Sequence, residues 1–364
     1  MNTFVEILRH WSRSRSEPVA LATVVRTSGS TYRKPGARML VQADGTTAGM
    51  VSAGCLEKDI AERAMRTIRG EASQLVAYDT RRLFGCNGRM EVFIECVPPN
   101  RSDSLLAAAE KGLGERRPLV GTTIFKANDL PAALLGSQAL LGHDGQPAEG
   151  RPLPERMYAD ARGALAAETA VERSYFHSGG IMAALLQTIA PPVKVYVFGA
   201  HPDVVPLTSI CLQLGWLPVV VAHPSQELPV LPPGSEGIYM GPEEVAGALV
   251  ADVRSAAVVM THNYGRDLAY LDGLLRHDFR YVGLMGPARR RNQLVGDLAG
   301  HGTLLDAPMM ERLHGPAGLD IGADGPAEIA MSIASEIKAV MSGRAGGLLR
   351  ESPRSIHAAS KEFV

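Results

Sequence analysis

The chain has 364 residues, of which 46% are hydrophobic and 21% charged, and its formal net charge is −1. This length suits two globular domains, and the near-neutral charge gives no field that would attract nucleic acid or an anionic membrane. No apolar run is long enough for a transmembrane helix, and the N-terminus lacks the apolar stretch of a signal peptide. We therefore expect a cytoplasmic protein whose four cysteines are reduced thiols.

The first half of the chain predicts a mixed α+β domain. Its predicted elements are a short amphipathic helix at 4–11, a buried strand at 19–26, a hairpin turning at Asp44-Gly45, a helix within 53–70 and an alternating strand at 90–96. Residues 36–45 resemble residues 136–145 in their Gly, Leu and Asp-Gly positions. This similarity indicates either a second hairpin, placed in the same sheet, or chance. Residues 150–191 carry no clear pattern, and Pro191-Pro192 marks a boundary.

From residue 193 onward, strand-like and helix-like segments alternate, which predicts parallel strands joined by crossover helices. A basic helix starts near Arg289, and a last helix starts near Pro326. The predicted fold class is α/β, with an N-terminal mixed α+β domain and a C-terminal Rossmann-like parallel-sheet domain. The predicted boundaries are 1–190, 191–345 and a loosely ordered tail at 346–364.

Two segments of the first half are candidates for chemistry. The loop SGSTYRKPGAR contains Ser30 and Arg38 among several donors, so it suits an oxyanion, or it is a solvated hairpin loop. The segment SAGCLEKD places Gly54 before Cys55, which we expect in the first turn of a helix, where the macrodipole favours a thiolate. Cys55 is either a functional thiol or a small buried hydrophobic residue. Glu57 is either an acid/base group or a simple helix-start carboxylate.

The other cysteines divide into two kinds. Cys86 lies between glycines in the loop GCNGR, a setting that lets a thiol approach a ligand. Cys96 and Cys211 lie on apolar faces, so a structural role is expected for both. None of the cysteines forms a C-x-x-C pair, so neither a zinc knuckle nor a thioredoxin motif is indicated.

The segment VYVFGAHPDVV occupies the dinucleotide-fingerprint position of a Rossmann fold but matches it poorly. Gly199 is present, His201 stands where the second glycine is expected, and Asp203 is near the helix start. The next strand ends at Ala222, where an acidic residue would bind ribose. The segment therefore still predicts a Rossmann-type fold, but it does not predict NAD binding.

Two further segments follow strands of the second half. His262 and Asn263 come directly after an apolar strand, where α/β sheets bind ligands. His262 is a ligand contact or a general base, although a lone histidine at a strand end is more often a hydrogen-bonded structural residue. Arg289, Arg290 and Arg291 follow Gly286-Pro287 in the first turn of a helix, which favours either a phosphate site or a solvated basic face, and Arg289 is taken as the cofactor-binding residue.

Taken together, these segments resemble the xanthine dehydrogenase accessory family, the XdhC/CoxI-type proteins, over residues 5–98 and 193–349. The resemblance rests on these segments: VVRTSGSTYRKPGARMLV, DGTTAGMVSAGCLE, GCNGRMEVFIE, FGAHPDVVPL, THNYGRDLAYLDGLL, YVGLMGPARRR and RLHGPAGLDIGADGPAEIAMSIASEI. The chain departs from the family pattern at His201, at Ala222, in its two glycine–cysteine runs and at Gly325-Pro326.

The resemblance implies a maturation factor that binds molybdenum cofactor, supports its sulfuration and delivers it to an apo molybdenum hydroxylase of the xanthine dehydrogenase type. It implies a cofactor chaperone without turnover of its own, with a cysteine desulfurase as a further partner and a homodimer as an open possibility. Cys55, Glu57 and Cys86 would be the reactive residues, and Ser30, Arg38, Gly54 and the second-half candidates would bind the cofactor. The alternatives are a free-standing NAD(P)-dependent oxidoreductase and a scaffold that only docks partners.

Overall fold

The computed structural model describes residues 3–79, 88–102, 104–148 and 152–352. Contacts divide the chain into two compact units, one within Asn2–Pro191 and the other within Pro192–Val364. Within the described residues, no helix is both long and apolar enough to span a membrane.

The N-terminal unit contains two antiparallel sheets and four helices among its described residues. Its strands are β1 (Val19–Gly29), β2 (Arg38–Val41), β3 (Thr47–Gly49), β4 (Gln74–Asp79), β5 (Gly88–Val97), β6 (Leu119–Asn128), β7 (Gly136–Leu141), β8 (Ala170–His177) and β9 (Gly180–Ile189). Its helices are α1 (Thr3–Arg13), α2 (Glu57–Ile68), α3 (Leu105–Gly114) and α4 (Glu155–Ala167), with a short 3-10 helix at Ala132–Leu134.

The two sheets repeat one pattern. Their strand orders are β3-β2-β1-β5-β4 and β7-β6-β9-β8, so β1, β2, β4 and β5 correspond to β6, β7, β8 and β9. The register of β1 against β5 shifts between Val24 and Arg26, and that of β6 against β9 shifts between Ile124 and Lys126, one hundred positions later. The weak repeat in the sequence is therefore a structural repeat. The expectation that the second hairpin joins the same sheet is wrong, because β6 and β7 belong to the other sheet.

The sheets pack face to face, each with a helix on its outer side. Apolar side chains from both sheets share two clusters, one of which contains Leu21, Val97 and Ile189. Helix α2 covers the outer face of the first sheet through Ile60 and Ala64, and α4 covers the second. Both faces of β5 are therefore buried, which places Glu95 in the interior. The absence of a clear pattern at 150–191 concealed α4, β8 and β9.

The C-terminal unit is a six-stranded parallel sheet with helices on both faces, as the alternation of strands and helices predicts. Its strands are β10 (Lys194–Phe198), β11 (Leu217–Ala222), β12 (Glu236–Tyr239), β13 (Ser255–Val259), β14 (Tyr281–Leu284) and β15 (Leu313–His314). Its helices are α5 (Val204–Gln213), α6 (Val245–Ala248), α7 (Tyr264–Leu274), α8 (Ala288–Gly300), α9 (Ala307–Arg312) and α10 (Pro326–Met341), with 3-10 turns at Pro242–Glu244 and Leu349–Glu351.

The strand order β12-β11-β10-β13-β14-β15 is that of a Rossmann fold and confirms the predicted α/β class. The strand order reverses between β10 and β13, so a crevice opens beyond their carboxyl ends. Helix α10 begins at Pro326, as predicted from the sequence.

Candidate functional site

In the N-terminal unit, the candidate loops gather at one end of the five-stranded sheet. Strands β1 and β3 end there, and the antiparallel strands β2 and β5 begin there. The loop after β1 carries Ser30, and the loop after β3 carries Gly54 and Cys55. Arg33 Nε donates to the Met50 carbonyl oxygen at 3.3 Å, which ties the two loops together. Cys86 lies outside the described residues.

Gly88 shows how closely these loops pack. A Cβ atom at this position would lie 2.4 Å from the Ser30 carbonyl oxygen and 2.8 Å from that of Ser28. Only glycine lets the loop after β1 cross the first residue of β5 at this distance. The path of the Ser30 loop is therefore set by a backbone contact that no other residue type permits.

Glu57 closes the loop that bears Cys55. Its carboxylate accepts hydrogen bonds from the backbone N–H groups of Ser52 at 2.7 Å and Leu56 at 3.2 Å, and from the Ser52 hydroxyl. Burial alone would raise the pKa of Glu57, but these hydrogen bonds outweigh it and hold the pKa below its usual value. The contacts favour a carboxylate that shapes the loop over a free acid/base group.

Cys55 itself is exposed, and Gly54 before it has a φ of +102°. Helix α2 begins at Glu57 with Leu56 as its N-cap. The expectation that Cys55 lies in the first turn of the helix is therefore wrong. The hydrogen bonds to Glu57 hold residues 51–56 in a non-helical turn. The helix therefore begins only at Glu57, and Cys55 lies before it on an exposed loop.

We expect Cys55 to react with iodoacetamide at least about tenfold faster than Cys96 or Cys211, because alkylation needs an accessible thiolate. Burial raises the pKa of Cys211 to about 12. Burial, with a smaller contribution from Glu95, also raises the pKa of Cys96. Peptide mapping after labelling at neutral pH measures the three rates, and urea-unfolded protein is the control in which they converge. Faster labelling of Cys211 in the folded protein would contradict this assignment.

Arg38 begins β2, but its side chain does not join the exposed loops. It is 2% exposed and lies between the two sheets, with its guanidinium carbon 5.3 Å from the centre of the Phe4 ring. Gln187 of β9 accepts a hydrogen bond from its Nη1 atom. The sequence predicts an anion-binding role for Arg38, and the structure places it in a closed setting that the loop motif alone does not reveal.

In the C-terminal unit, the crevice brings together the residues that follow β10 and β13. A Cβ atom on Gly199 would lie 2.6 Å from the Met260 carbonyl oxygen, so glycine allows the two chain segments to approach. His262 Nε2 lies 2.6 Å from Asp203 Oδ2, and the rings of His201 and His262 meet edge to face with centres 5.2 Å apart. Asn263 caps α7 by accepting from the Arg266 N–H at 3.0 Å.

A second polar network lines the same crevice. Asp267, which is 3% exposed at its side chain, accepts hydrogen bonds from the Thr261 hydroxyl and from Arg290 Nη2, both at 2.6 Å. A cavity of about 330 Å³ lies against Met260, His262, Asp267, Met285, Gly286 and Arg290. Arg289 is exposed, so Arg290 is the arginine of this run that reaches the cavity.

The chemistry available in the crevice is hydrogen bonding and proton exchange through His262. The Asp203 carboxylate orients the imidazole, as carboxylates do for catalytic and ligand-binding histidines. His262 also has a φ of +55°, an uncommon backbone conformation for a residue other than glycine. Among the described residues, no group of three or more His, Cys, Asp and Glu side chains is placed to hold a metal ion.

The sequence assigns no site role to Gln187, Asp267 or the two methionines of the cavity, and it favours Arg289 where Arg290 reaches the cavity. The run Arg289–Arg291 indicates a basic helix start but does not show which arginine faces the sheet. Asp267 has a detectable signal, since a carboxylate in the first turn of a helix after a strand is well placed for the crevice. Gln187 lies in the segment that carries no pattern.

Comparison with known proteins identifies relatives for both halves of the chain. A model of the XdhC and CoxI family matches residues 12–79, and a model of the XdhC Rossmann domain matches residues 195–337. A Bacillus subtilis (strain 168) protein, named as a probable subunit of xanthine dehydrogenase, is 28% identical over 336 residues, covering 88% of this chain and 92% of that protein.

Two further matches extend over nearly all of the chain. The "Uncharacterized protein YqeB" of Escherichia coli (strain K12) is 24% identical over 356 residues, covering 96% of this chain but 48% of that protein, so this chain spans about half its length. The crystal structure of a xanthine dehydrogenase from Bacillus halodurans matches with a TM-score of 0.71 and 25% identity, covering 96% of this chain and 98% of that one. The family models and the Bacillus subtilis relative confirm the resemblance seen in the sequence.

Proposed function

Because this chain belongs to the XdhC and CoxI family, we propose that it is a maturation factor for a molybdenum hydroxylase of the xanthine dehydrogenase type. In this role it binds molybdenum cofactor as cargo, supports the replacement of an oxo ligand by a sulfido ligand and delivers the cofactor to the apo-enzyme. It acts as a chaperone and carries out no turnover of its own. A cysteine desulfurase is the proposed sulfur source.

The observation that carries this proposal is the loop cluster at one end of the five-stranded sheet. There an exposed thiol, Cys55, lies on a loop tied by Arg33 to the donor-rich loop of Ser30. A thiolate is a suitable ligand for a soft metal centre, and hydroxyl, guanidinium and ammonium donors suit a phosphate. The cargo is a pterin phosphate with a dithiolene-held metal, so these residue types fit both of its ends.

Anaerobic purification followed by molybdenum and pterin analysis tests the proposal directly. We expect both to copurify with the chain and to transfer, on mixing, to apo-hydroxylase with a gain of hydroxylase activity. Protein from a cofactor-producing host that carries neither molybdenum nor pterin, and that does not activate apo-hydroxylase, would contradict it. Stable, equimolar association with the mature enzyme would instead indicate a structural component of that enzyme, which is what the name of the Bacillus subtilis relative states for that protein.

The role of Cys55 is tested by Cys55→Ser in the same transfer assay, with Cys96→Ser as the matched control. We expect Cys55→Ser to lower the yield of active hydroxylase while its thermal midpoint stays close to that of the parent protein, because the side chain is exposed. Equal yields from the two variants would remove Cys55 from the proposed mechanism.

A second candidate function is a free-standing NAD(P)-dependent oxidoreductase. It is favoured by the Rossmann strand order and by the cavity beside His262. The same crevice departs from a dinucleotide site at its glycine turn and at the ribose position. The family relationship therefore supports the maturation role over this alternative, and the cofactor titration argued in the Discussion separates them.

A further inference from the structure

Arg38 is a buried cation whose hydrogen-bonding capacity is only partly used. Its Nη1 atom donates to the Gly36 carbonyl oxygen at 3.3 Å and to the side-chain oxygen of Gln187. Its Nε and Nη2 atoms are also buried, and neither has a hydrogen-bond partner among the residues that the structure describes. Leaving buried donors of a charged group unpaired is costly, so such atoms mark a place where a ligand or ion can bind.

The two unpaired atoms have a specific geometry. The Nε–H and Nη2–H groups of a guanidinium point in parallel along one edge and form the fork that matches two oxygens of a carboxylate or phosphate. Nη1, the atom outside this fork, is the one held by Gly36 and Gln187. The protein thus fixes Arg38 by one nitrogen and leaves its anion-recognising edge available.

A cavity of about 150 Å³ lies beside Arg38, bordered by Phe4, Ile7, Gly36, Gln187, Thr188 and Ile189. A cavity of this size holds several water molecules, so it accommodates one tetrahedral anion. Gly36 forms part of the wall with a φ of +95°, and a Cβ atom there would lie 2.3 Å from Gln187 Nε2, so it would displace that amide. Both repeats of the unit therefore contribute to the cavity.

Arg38 supplies the positive charge that anion binding requires. Burial lowers the pKa of Arg38 to about 10, so the guanidinium stays cationic at neutral pH. The nearby acid is Glu95, whose Oε2 atom accepts from the Ser137 N–H at 2.9 Å, and burial raises the pKa of this carboxyl group. Because Nε and Nη2 of Arg38 have no hydrogen-bond partner, the fork is not occupied by that carboxylate.

We propose that the Arg38 cavity is an oxyanion site in which Nε and Nη2 bind two oxygens of a phosphate monoester or carboxylate group side-on. The second repeat cannot hold an equivalent site, because Ser137 stands opposite Thr123 where Arg38 stands opposite Thr23. Under the proposed function, this site receives the phosphate of the cargo, and the exposed Ser30 loop contacts its other polar groups. That identification rests on the proposed function, whereas binding of a free anion does not depend on it.

Thermal unfolding in the presence of inorganic phosphate tests the site. The full chain carrying Trp216→Phe keeps Trp11, in α1, as its only tryptophan, so its fluorescence follows the N-terminal unit. At ionic strength held constant with sodium chloride, we expect the midpoint to rise with the logarithm of phosphate concentration. In Arg38→Met we expect the apparent phosphate affinity to fall at least about tenfold, since the fork is lost. Arg69→Met, which removes an exposed cation from the same unit, should respond like the parent.

A second variant keeps the test decisive if Arg38→Met does not fold. Arg38→Lys retains the charge without the fork, so we expect it also to bind phosphate at least about tenfold more weakly. A parent protein that does not respond to phosphate or acetate, or an Arg38→Lys response equal to that of the parent, would overturn the proposal. If only phosphate raises the unfolding midpoint, the ligand of this site is a phosphate group. If only acetate raises it, the ligand is a carboxylate group. A phosphate response in protein that never carries pterin would leave this site standing and refute only its link to the cargo.

Discussion

Replacement of Glu336 by alanine is expected to lower the free energy of unfolding of the C-terminal unit by about 3 kcal/mol, because several hydrogen bonds to one charged group are lost together. Glu336, on α10, accepts from the Tyr281 hydroxyl at 2.6 Å and the Gly318 N–H at 2.7 Å, and it lies 3.1 Å from His314 Nδ1. One carboxylate therefore joins β14, the end of β15 and the loop that leads to α10.

Urea unfolding followed by fluorescence of Trp216 measures this change, and Trp11→Phe removes the signal from the other unit. Glu311→Ala is the matched control, since that exposed glutamate lies on α9 nearby, and we expect it to change the free energy by less than about 0.5 kcal/mol. A loss below about 1 kcal/mol in Glu336→Ala would mean that apolar packing alone holds the loop, contrary to the network of hydrogen bonds.

The same carboxylate predicts a pH dependence. Burial by itself would raise the pKa of Glu336, but the hydrogen bonds from His314, Tyr281 and Gly318 outweigh it and lower the pKa in the folded state. A folded-state pKa below the unfolded value of about 4.3 means that the stabilisation is present above that pH and is lost as the pH falls through the folded pKa. The stability difference between the parent protein and Glu336→Gln should therefore shrink below about pH 4.

Titration of the ligand-free chain with NAD, NADP and their reduced forms is expected to show no binding as tight as the roughly micromolar level of an ordinary cofactor site. The N–H groups at the start of α5 would have to receive the pyrophosphate. The first two, of Val204 and Val205, already donate to the carbonyl oxygens of His201 and Pro202 at 3.1 and 3.2 Å.

Side chains in the crevice add to this effect. The His201 ring stands where a Rossmann turn has its second glycine, and the Asp203 carboxylate adds negative charge beside it. Strand β11 ends at Ala222, which offers no carboxylate to the ribose hydroxyls. Isothermal calorimetry of the parent and of a His201→Gly/Ala222→Asp double variant tests the argument. We expect the double variant to gain at least about tenfold in NAD affinity. A submicromolar dissociation constant for the parent would revive the oxidoreductase alternative.

Where a segment buries one face and exposes the other, its sequence predicts its structure well. The helix at the N-terminus, the strand after it, the Asp44-Gly45 hairpin and the helix starting at Pro326 are all confirmed. In each case a local signal such as periodicity, a turn dipeptide or a proline at a helix start reports the element directly.

The sequence is less informative where burial comes from a distant segment. Alternation in β5 separates Met90, Val92 and Ile94 from Phe93 and Glu95, but it does not reveal that the second sheet covers the latter face. The burial of Arg38 is hidden for the same reason, because its neighbour Gln187 is 149 positions away. The sequence does place His262 beyond a strand end, because strand and helix alternate clearly there, whereas the choice between Arg289 and Arg290 depends on helix phase.

The two copies of the repeated strand pattern in the N-terminal unit have different roles. The loops of the first copy carry the candidate chemistry, while strands of the second support it: Gln187 holds Arg38, the Ser137 backbone holds Glu95, and Glu172 pairs with Arg26. The first copy thus carries the candidate site, and the second copy packs against it and holds its buried side chains in place. We therefore expect the loops of the second copy to vary more among relatives than its inward-facing strand positions, which hold Arg38 and Glu95 in place.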